Sequence, residues 1–265
     1  MKFSHSNILY PYQQGIKFRV FDVWRTHKSV MVQMPTGTGK THLLSSLVND
    51  ELRTKNEESC VWIVAHRREL VEQIEETVAR YGIPKGDERV KVMSIQWLSR
   101  HWEDVNGEKP SLIIIDEAHH TLAETYKELW LRYPKAKKLG MTATPCRLNR
   151  KGFTDLFEVL ITSDSIADFI KQGWLSPFDY VSIRPGSEDQ RLIDGLEKRG
   201  ADGDFQVKEM DKVLNRRPSI ERLYESVRQY ADGKKGIVYA VSISHARNIA
   251  AYYSEKGVNA VAIDS

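Results

Sequence analysis

The sequence predicts an α/β protein organised around a parallel β-sheet, and three observations carry that expectation. Apolar runs at residues 30–33, 60–65 and 112–115 are nearly continuous instead of alternating with polar residues, as strands covered on both faces require. Segments with helical spacing of apolar residues follow the runs, so strands and helices alternate along the chain. The polar and glycine-rich clusters fall at the carboxyl ends of the runs, the edge at which open α/β sheets bind ligands.

Composition sets the bounds. The chain has 265 residues, room for one large or two ordinary domains, and 41% hydrophobic with 28% charged residues is a soluble globular balance. A net charge of +3 permits a nucleic-acid partner without requiring one. Cys60 and Cys146 lie far apart with no Cys-x-x-Cys spacing, so neither a zinc site nor a disulfide framework is expected. The N-terminus lacks a basic segment followed by an apolar core, and no apolar run approaches bilayer length. The expectation is a cytoplasmic protein with no membrane partner.

Taken in order, Leu9-Tyr10-Pro11-Tyr12-Gln13 precedes a helix bearing Ile16, Phe18, Val20, Phe21 and Trp24. The run Val30–Gln33 then breaks at Met34 into Pro35-Thr36-Gly37-Thr38-Gly39-Lys40-Thr41, with Leu43, Leu44 and Leu47 at helical spacing behind it. This is a phosphate cradle: Gly37 and Gly39 allow successive N–H groups to converge on phosphates at a helix start, Lys40 supplies a point charge, and Thr41 offers a hydroxyl to Mg²⁺. The usual pattern would have glycine at Met34.

The second run, Cys60–Ala65, ends in His66-Arg67-Arg68 ahead of a helix from about Leu70 to Tyr81, and Arg89–Ile95 reads as a further strand. Packing is the first expectation for Trp97 and Trp102, base stacking the second. Leu112–Ile115 runs directly into Asp116-Glu117-Ala118-His119-His120. An acid at such a strand end is placed to hold Mg²⁺, and a neighbouring glutamate to orient or deprotonate water. The two histidines are not spaced as metal ligands on one helix face. A helix near Thr125–Leu131 leads to a strand closing in Thr142-Ala143-Thr144, whose hydroxyls suit a hydrogen-bonded relay.

Helices are expected at Phe153–Phe157 and Ile166–Ile170, and an irregular polar segment from Gly186 to Asp211. A helix at Ile220–Tyr230, a strand at Gly236–Val241, a helix at Ser244–Lys256 and a strand at Val258–Ile263 complete the reading.

Tyr12-Gln13, Pro35–Thr41, Ala65–Leu70, Asp116–His119, Thr142–Thr144, and Val238-Tyr239-Ala240 with Ser244 resemble, in order, the motifs of superfamily 2 DEAD/DEAH-box-like nucleic-acid helicases. Leu9–Gln13, Thr142–Leu148 and Gly173-Trp174-Leu175 are similar to the restriction-subunit and RadD-type DNA-repair branch. The resemblance implies a RecA-like P-loop domain over residues 1–180, a connector over 181–217 and the beginning of a second RecA-like domain over 218–265. It implies that the chain is truncated after motif IV, without the later motifs that carry arginines to ATP.

By the same resemblance the cofactors are ATP and Mg²⁺, and the catalytic residues Lys40, Asp116, Glu117 and His119. Gln13, Pro35, Thr36, Gly37, Thr38, Gly39, Lys40 and Thr41 would bind the nucleotide, Gln13 in the adenine-recognition position. Thr41 and Asp116 would hold Mg²⁺, His66, Arg67, Arg68 and Ser94 would touch nucleic acid, and Thr142 and Thr144 would couple the two sites. The implied activity is an ATP-dependent helicase or translocase acting on DNA, with RNA possible; oligomeric state is left open. The alternative is a nucleotide-dependent binding switch that never separates a duplex.

Overall fold

The computed structural model describes residues 9–54, 60–66, 68–118, 124–144, 156–182, 186–199 and 205–264. The chain divides into two compact units, Met1–Pro177 and Phe178–Ser265.

The first unit is built on strands β1 (Ser29–Gln33), β2 (Cys60–Ala65), β3 (Val90–Ser94), β4 (Pro110–Ile115), β5 (Lys137–Thr142) and β6 (Val159–Thr162). They form one six-stranded sheet in the order β3-β2-β4-β5-β1-β6, and every described pairing is parallel. Helices α1 (Pro11–Val23), α2 (Lys40–Thr54), α3 (Arg68–Arg80), α4 (Ile95–Leu98), α5 (Glu124–Arg132) and α6 (Ile166–Lys171) accompany it.

The apolar runs explain themselves in this setting. Successive residues of a strand face opposite ways, so a strand with helices on both sides must be apolar at every position. Val30, Val32, Val61, Ile63, Leu112 and Ile114 join one core with Ile16 and Val20 of α1, Leu43, Leu44 and Leu47 of α2, and Ile74 and Val78 of α3. Met31, Trp62, Val64, Ile113 and Ile115 join the other, with Leu98 of α4 and Tyr126 and Leu129 of α5. Each fully buried side chain of this kind contributes about 1.5–3 kcal/mol. Met34 is fully buried in the first core, and its N–H donates to the Thr142 carbonyl at 2.9 Å. That position still belongs to the sheet, which accounts for a large apolar residue where the usual pattern has glycine.

The structure departs from the sequence-based expectations at several places. Residues 153–155 lie outside the described residues, and Leu156 and Phe157 are not helical but lead into β6, a strand missed in the sequence. β6 is only four residues long and takes its identity from pairing with β1, Val30 opposite Val159. Helix α1 buries Ile16 and Val20 but leaves Phe18 68% exposed.

The second unit contains α7 (Glu188–Asp194), α8 (Val207–Leu214), α9 (Arg217–Ala231) and α10 (Ile243–Glu255). Residues 186–211, expected to be irregular, thus hold α7 and the start of α8. Ser187 caps α7 by accepting from the Gln190 N–H at 3.2 Å. Its core is small: Ile220 and Tyr224 of α9 against Ile249, Tyr252 and Tyr253 of α10. The strands expected at 236–241 and 258–263 form no ladder among the described residues. Their composition favours extended chain, but a strand requires a hydrogen-bonded neighbour, and Ile237, Tyr239, Val261 and Ile263 stay largely exposed.

Candidate nucleotide-binding site

Because the sheet is parallel, the carboxyl ends of β1, β5, β4 and β2 share one edge, and the polar clusters singled out in the sequence gather there. The glycine loop leaves β1, the Asp116-Glu117 turn leaves β4, and β5 lies between these strands with Thr142 at its end.

The loop adopts the conformation its glycines permit. Gly37 and Gly39 have φ of 85° and 77°, left-handed values that a side chain resists. Thr38 closes the turn, its hydroxyl donating to the Pro35 carbonyl at 2.6 Å. Helix α2 begins at Lys40, so its unpaired N–H groups and positive dipole end face the cradle. Thr41 lies in the first turn of that helix.

Gln13, in the first turn of α1, braces the loop from behind. Its amide nitrogen donates to the Thr38 carbonyl at 3.0 Å and the Gly39 carbonyl at 3.2 Å, while its amide oxygen accepts the Tyr10 N–H at 2.9 Å. The side chain is 2% exposed. A Cβ added at Gly39 would come within 2.5 Å of the Gln13 amide nitrogen. The neighbouring Tyr12 hydroxyl also donates to the Thr38 carbonyl, at 3.0 Å.

At β4 the backbone turns sharply. The Asp116 N–H still bonds to the Val64 carbonyl at 3.1 Å, but Glu117 has a φ of 51°, strained for a residue with a side chain. The turn brings the Glu117 carboxylate 4.0 Å from the Lys40 ammonium. Burial raises the Asp116 carboxyl above its ordinary range, and the charge of Glu117 raises it further, against the Glu117 N–H and Lys40, which lower it. The two half-buried acids thus stand beside Lys40 at the sheet edge. Among the described residues no group of three or more His, Cys, Asp or Glu could hold a metal alone. A carboxylate at Asp116 and a hydroxyl at Thr41 are oxygen donors of the kind Mg²⁺ takes when it shares phosphate oxygens.

The remaining predicted positions are placed as follows. The Thr142 hydroxyl donates to the Thr144 carbonyl and accepts the Thr144 N–H, both at 3.0 Å, a closed local turn at the end of β5. The His66 carbonyl accepts from the Gln96 side chain at 2.6 Å. Ser94 is buried, its hydroxyl capping α4 by accepting the Trp97 N–H at 3.2 Å. Arg67 and His119 lie outside the described residues, as does the side chain of Arg68.

An aromatic wall beside the loop was missed in the sequence. Tyr10 lies 5.8 Å from Tyr12 and 4.9 Å from Trp174 between ring centroids, and Tyr12 lies 5.0 Å from Phe169. Trp174 arrives through a helix stop: α6 ends, Gly173 turns with φ 77°, and the Trp174 N–H returns to the Phe169 carbonyl at 2.9 Å. Leu175 then packs against the loop, 3.1 Å from where a Cβ on Gly37 would sit. Gly173 before Trp174 was the available signal.

With this geometry in view, comparison with known proteins is decisive at the family level. Residues 7–147, more than half of the chain, match the family described as the res subunit of type III restriction enzymes. The chain belongs to this family of superfamily 2 helicases. It is 30% identical to the 51.5 kDa protein of a Lactococcus phage over 89% of its own length and 49% of that protein. It is 26% identical to the DNA 3'-5' translocase XPB2 of Sulfurisphaera tokodaii, over 66% of its length and 41% of the relative. The chain thus spans less than half the length of either relative. In fold it is similar to a nuclease-deletion mutant of the type ISP restriction-modification enzyme LlaGI, solved with a DNA substrate mimic. That match has a TM-score of 0.51 at 13% identity and covers 84% of this chain and 24% of the other.

Proposed function

We propose that the chain is the nucleotide-binding part of an ATP-dependent DNA translocase or helicase, its residues 1–180 forming the first RecA-like domain and 218–265 beginning a second, joined by the connector 181–217. The observation that carries this reading is the meeting of the glycine loop and the Asp116-Glu117 turn at one sheet edge, with the Lys40 ammonium 4.0 Å from Glu117. A relative described as a DNA translocase and a fold neighbour solved with a DNA mimic favour DNA over RNA.

In this reading the loop N–H groups and Lys40 bind the β- and γ-phosphates, Lys40 leaving Glu117 to do so. Freed of that contact, Glu117 orients a water and accepts its proton. Mg²⁺, when bound with the nucleotide, neutralises charge on the phosphate oxygens; Asp116 and Thr41 would hold it. Thr142, on the strand between loop and acids, changes its hydrogen bonding with the γ-phosphate and passes the change to the strand ends. His119 is proposed to join that coupling. His66, Arg67, Arg68 and Ser94, the last through the turn it caps, shape the nucleic-acid edge. Trp97 stands beside that edge, 40% exposed and stacked at 4.6 Å on His101, a surface on which a base stacks without regard to sequence.

The test measures single-stranded DNA affinity with and without Mg-ATP. The reading expects nucleotide to change DNA affinity; no change, with both ligands bound, would remove the coupling on which it depends. A strand-displacement assay on the 265-residue protein separates a motor from a switch.

A further inference from the structure

Strand β3 is the outermost strand on one side of the sheet, and a cavity of about 1050 Å³ lies beside it, a size that accommodates a ligand. Val71 and Glu75 of α3, Val92 of β3, and Trp97, Arg100 and Asp104 line it. Ser94 and Gln96 border it as well, and the Gln96 side chain donates to the His66 carbonyl, so the cavity adjoins the edge assigned above to nucleic acid.

The apolar and the charged parts of the lining suit different parts of one ligand. Trp97, 40% exposed, presents a ring that is already fixed: His101 stacks on it at a tilt of 4°, and the His101 Nδ1 donates to the Trp97 carbonyl at 2.7 Å. The exposed Arg100 side chain makes no ion pair among the described residues, and neither do those of Glu75 and Asp104. The other cation of the lining, Lys91, is held by Glu108. A phosphate inside the cavity would be repelled by the two carboxylates, whereas the Arg100 guanidinium suits a phosphate at the mouth.

From this we propose that the cavity takes one unpaired base of a DNA strand, stacked on Trp97, with a backbone phosphate on Arg100. The proposal rests on the nucleic-acid reading above. Stacking on a side chain needs a free ring face, and in a duplex both faces of a base are covered by its neighbours. The cavity therefore adds recognition of a single-stranded segment to backbone contacts that ignore sequence.

The experiment measures, at one fixed salt concentration, the affinity of the 265-residue protein for a blunt duplex, the same duplex with a single-stranded tail, and that duplex with an abasic tail of equal length. The intact tail is expected to bind about 5- to 100-fold more tightly than the abasic one, the range that stacking of one base supplies. Equal affinity for the two tails would overturn the proposal while leaving DNA binding intact. Failure to bind any of the three would overturn the nucleic-acid reading and the proposal together. As a second arm, Trp97→Ala, verified as folded by its thermal melt, is expected to bind both tails alike, and Trp97→Phe, which keeps a ring, to restore the preference. A Trp97→Ala protein that still prefers the intact tail would show that the base stacks elsewhere and would overturn the assignment of the cavity.

Discussion

At the scale of single residues, the site opposes stability to chemistry. Asp116 is partly buried beside Glu117, so its charged form is disfavoured in the folded protein and its carboxyl is raised above the ordinary range. A carboxyl whose folded value is raised costs stability once pH climbs above its unfolded value, and costs nothing when protonated in both states. Asp116→Asn is therefore expected to raise the melting temperature at neutral pH, with the gain vanishing at acid pH, while Mg-dependent nucleotide binding falls. Melts across pH check it; an equal gain at acid pH would point to packing instead of charge. Lys40→Ala should remove a charge-assisted phosphate contact worth about 1.5–3 kcal/mol and leave the fold intact, since Lys40 lies outside both cores of the first unit. Calorimetry with Mg-ATP decides, and unchanged affinity in a folded variant would remove the loop from the nucleotide site. Glu117→Gln should keep nucleotide binding and stop turnover, because it preserves shape and removes the proton acceptor. Single-turnover hydrolysis at the normal rate would reassign that role.

At the scale of elements, β5 is the keystone, and Gly140 sets how closely it is packed. A Cβ there would come within 2.6 Å of Phe157 Cζ and 3.0 Å of the Ala118 Cβ, so the ring of Phe157 fills the space a side chain would use. Ala118, buried in the same core as Phe157, follows Glu117 and its left-handed backbone directly. Gly140→Ala is expected to destabilise the protein by about 1–3 kcal/mol through overpacking, and trimming the ring with Phe157→Leu to recover part of the loss. Urea unfolding of the single and double variants measures both. A neutral Gly140→Ala would mean that the ring has room to shift.

At the scale of the whole molecule, all the described phosphate-site residues lie in the unit Met1–Pro177. A chain ending at Pro177 should bind Mg-ATP as tightly as the 265-residue protein. Hydrolysis should be slow in both. A trans-domain arginine is typically worth about 10³–10⁵ in rate, and three described arginines of the second unit are engaged with carboxylates: Arg217 with Glu255, Arg228 with Asp232, and Arg247 with Asp264. An ATPase assay with added DNA tests this. Strong DNA-stimulated turnover that Arg247→Ala abolishes would identify Arg247 as an arginine that reaches the nucleotide.

What the sequence determined by itself was whatever local chemistry forces. A strand covered on both faces has to be apolar throughout, so Val30–Gln33, Cys60–Ala65 and Leu112–Ile115 announced a parallel sheet. Glycines before a lysine at a helix start, and acids at a strand end, were equally legible, because the residue types and their order carry the chemistry. Tertiary structure decided whatever depends on a partner distant in the chain. The run at 159–162 became a strand beside β1, whereas the equally apolar 236–241 pairs with no strand among the described residues, since composition can favour extended chain but cannot supply a neighbour. Trp174 reached Tyr10 across more than half the sequence through one glycine turn. The same holds for Gln13: the sequence placed it in the site, and only the carbonyls of Thr38 and Gly39, brought to it by folding, showed where its hydrogen bonds go.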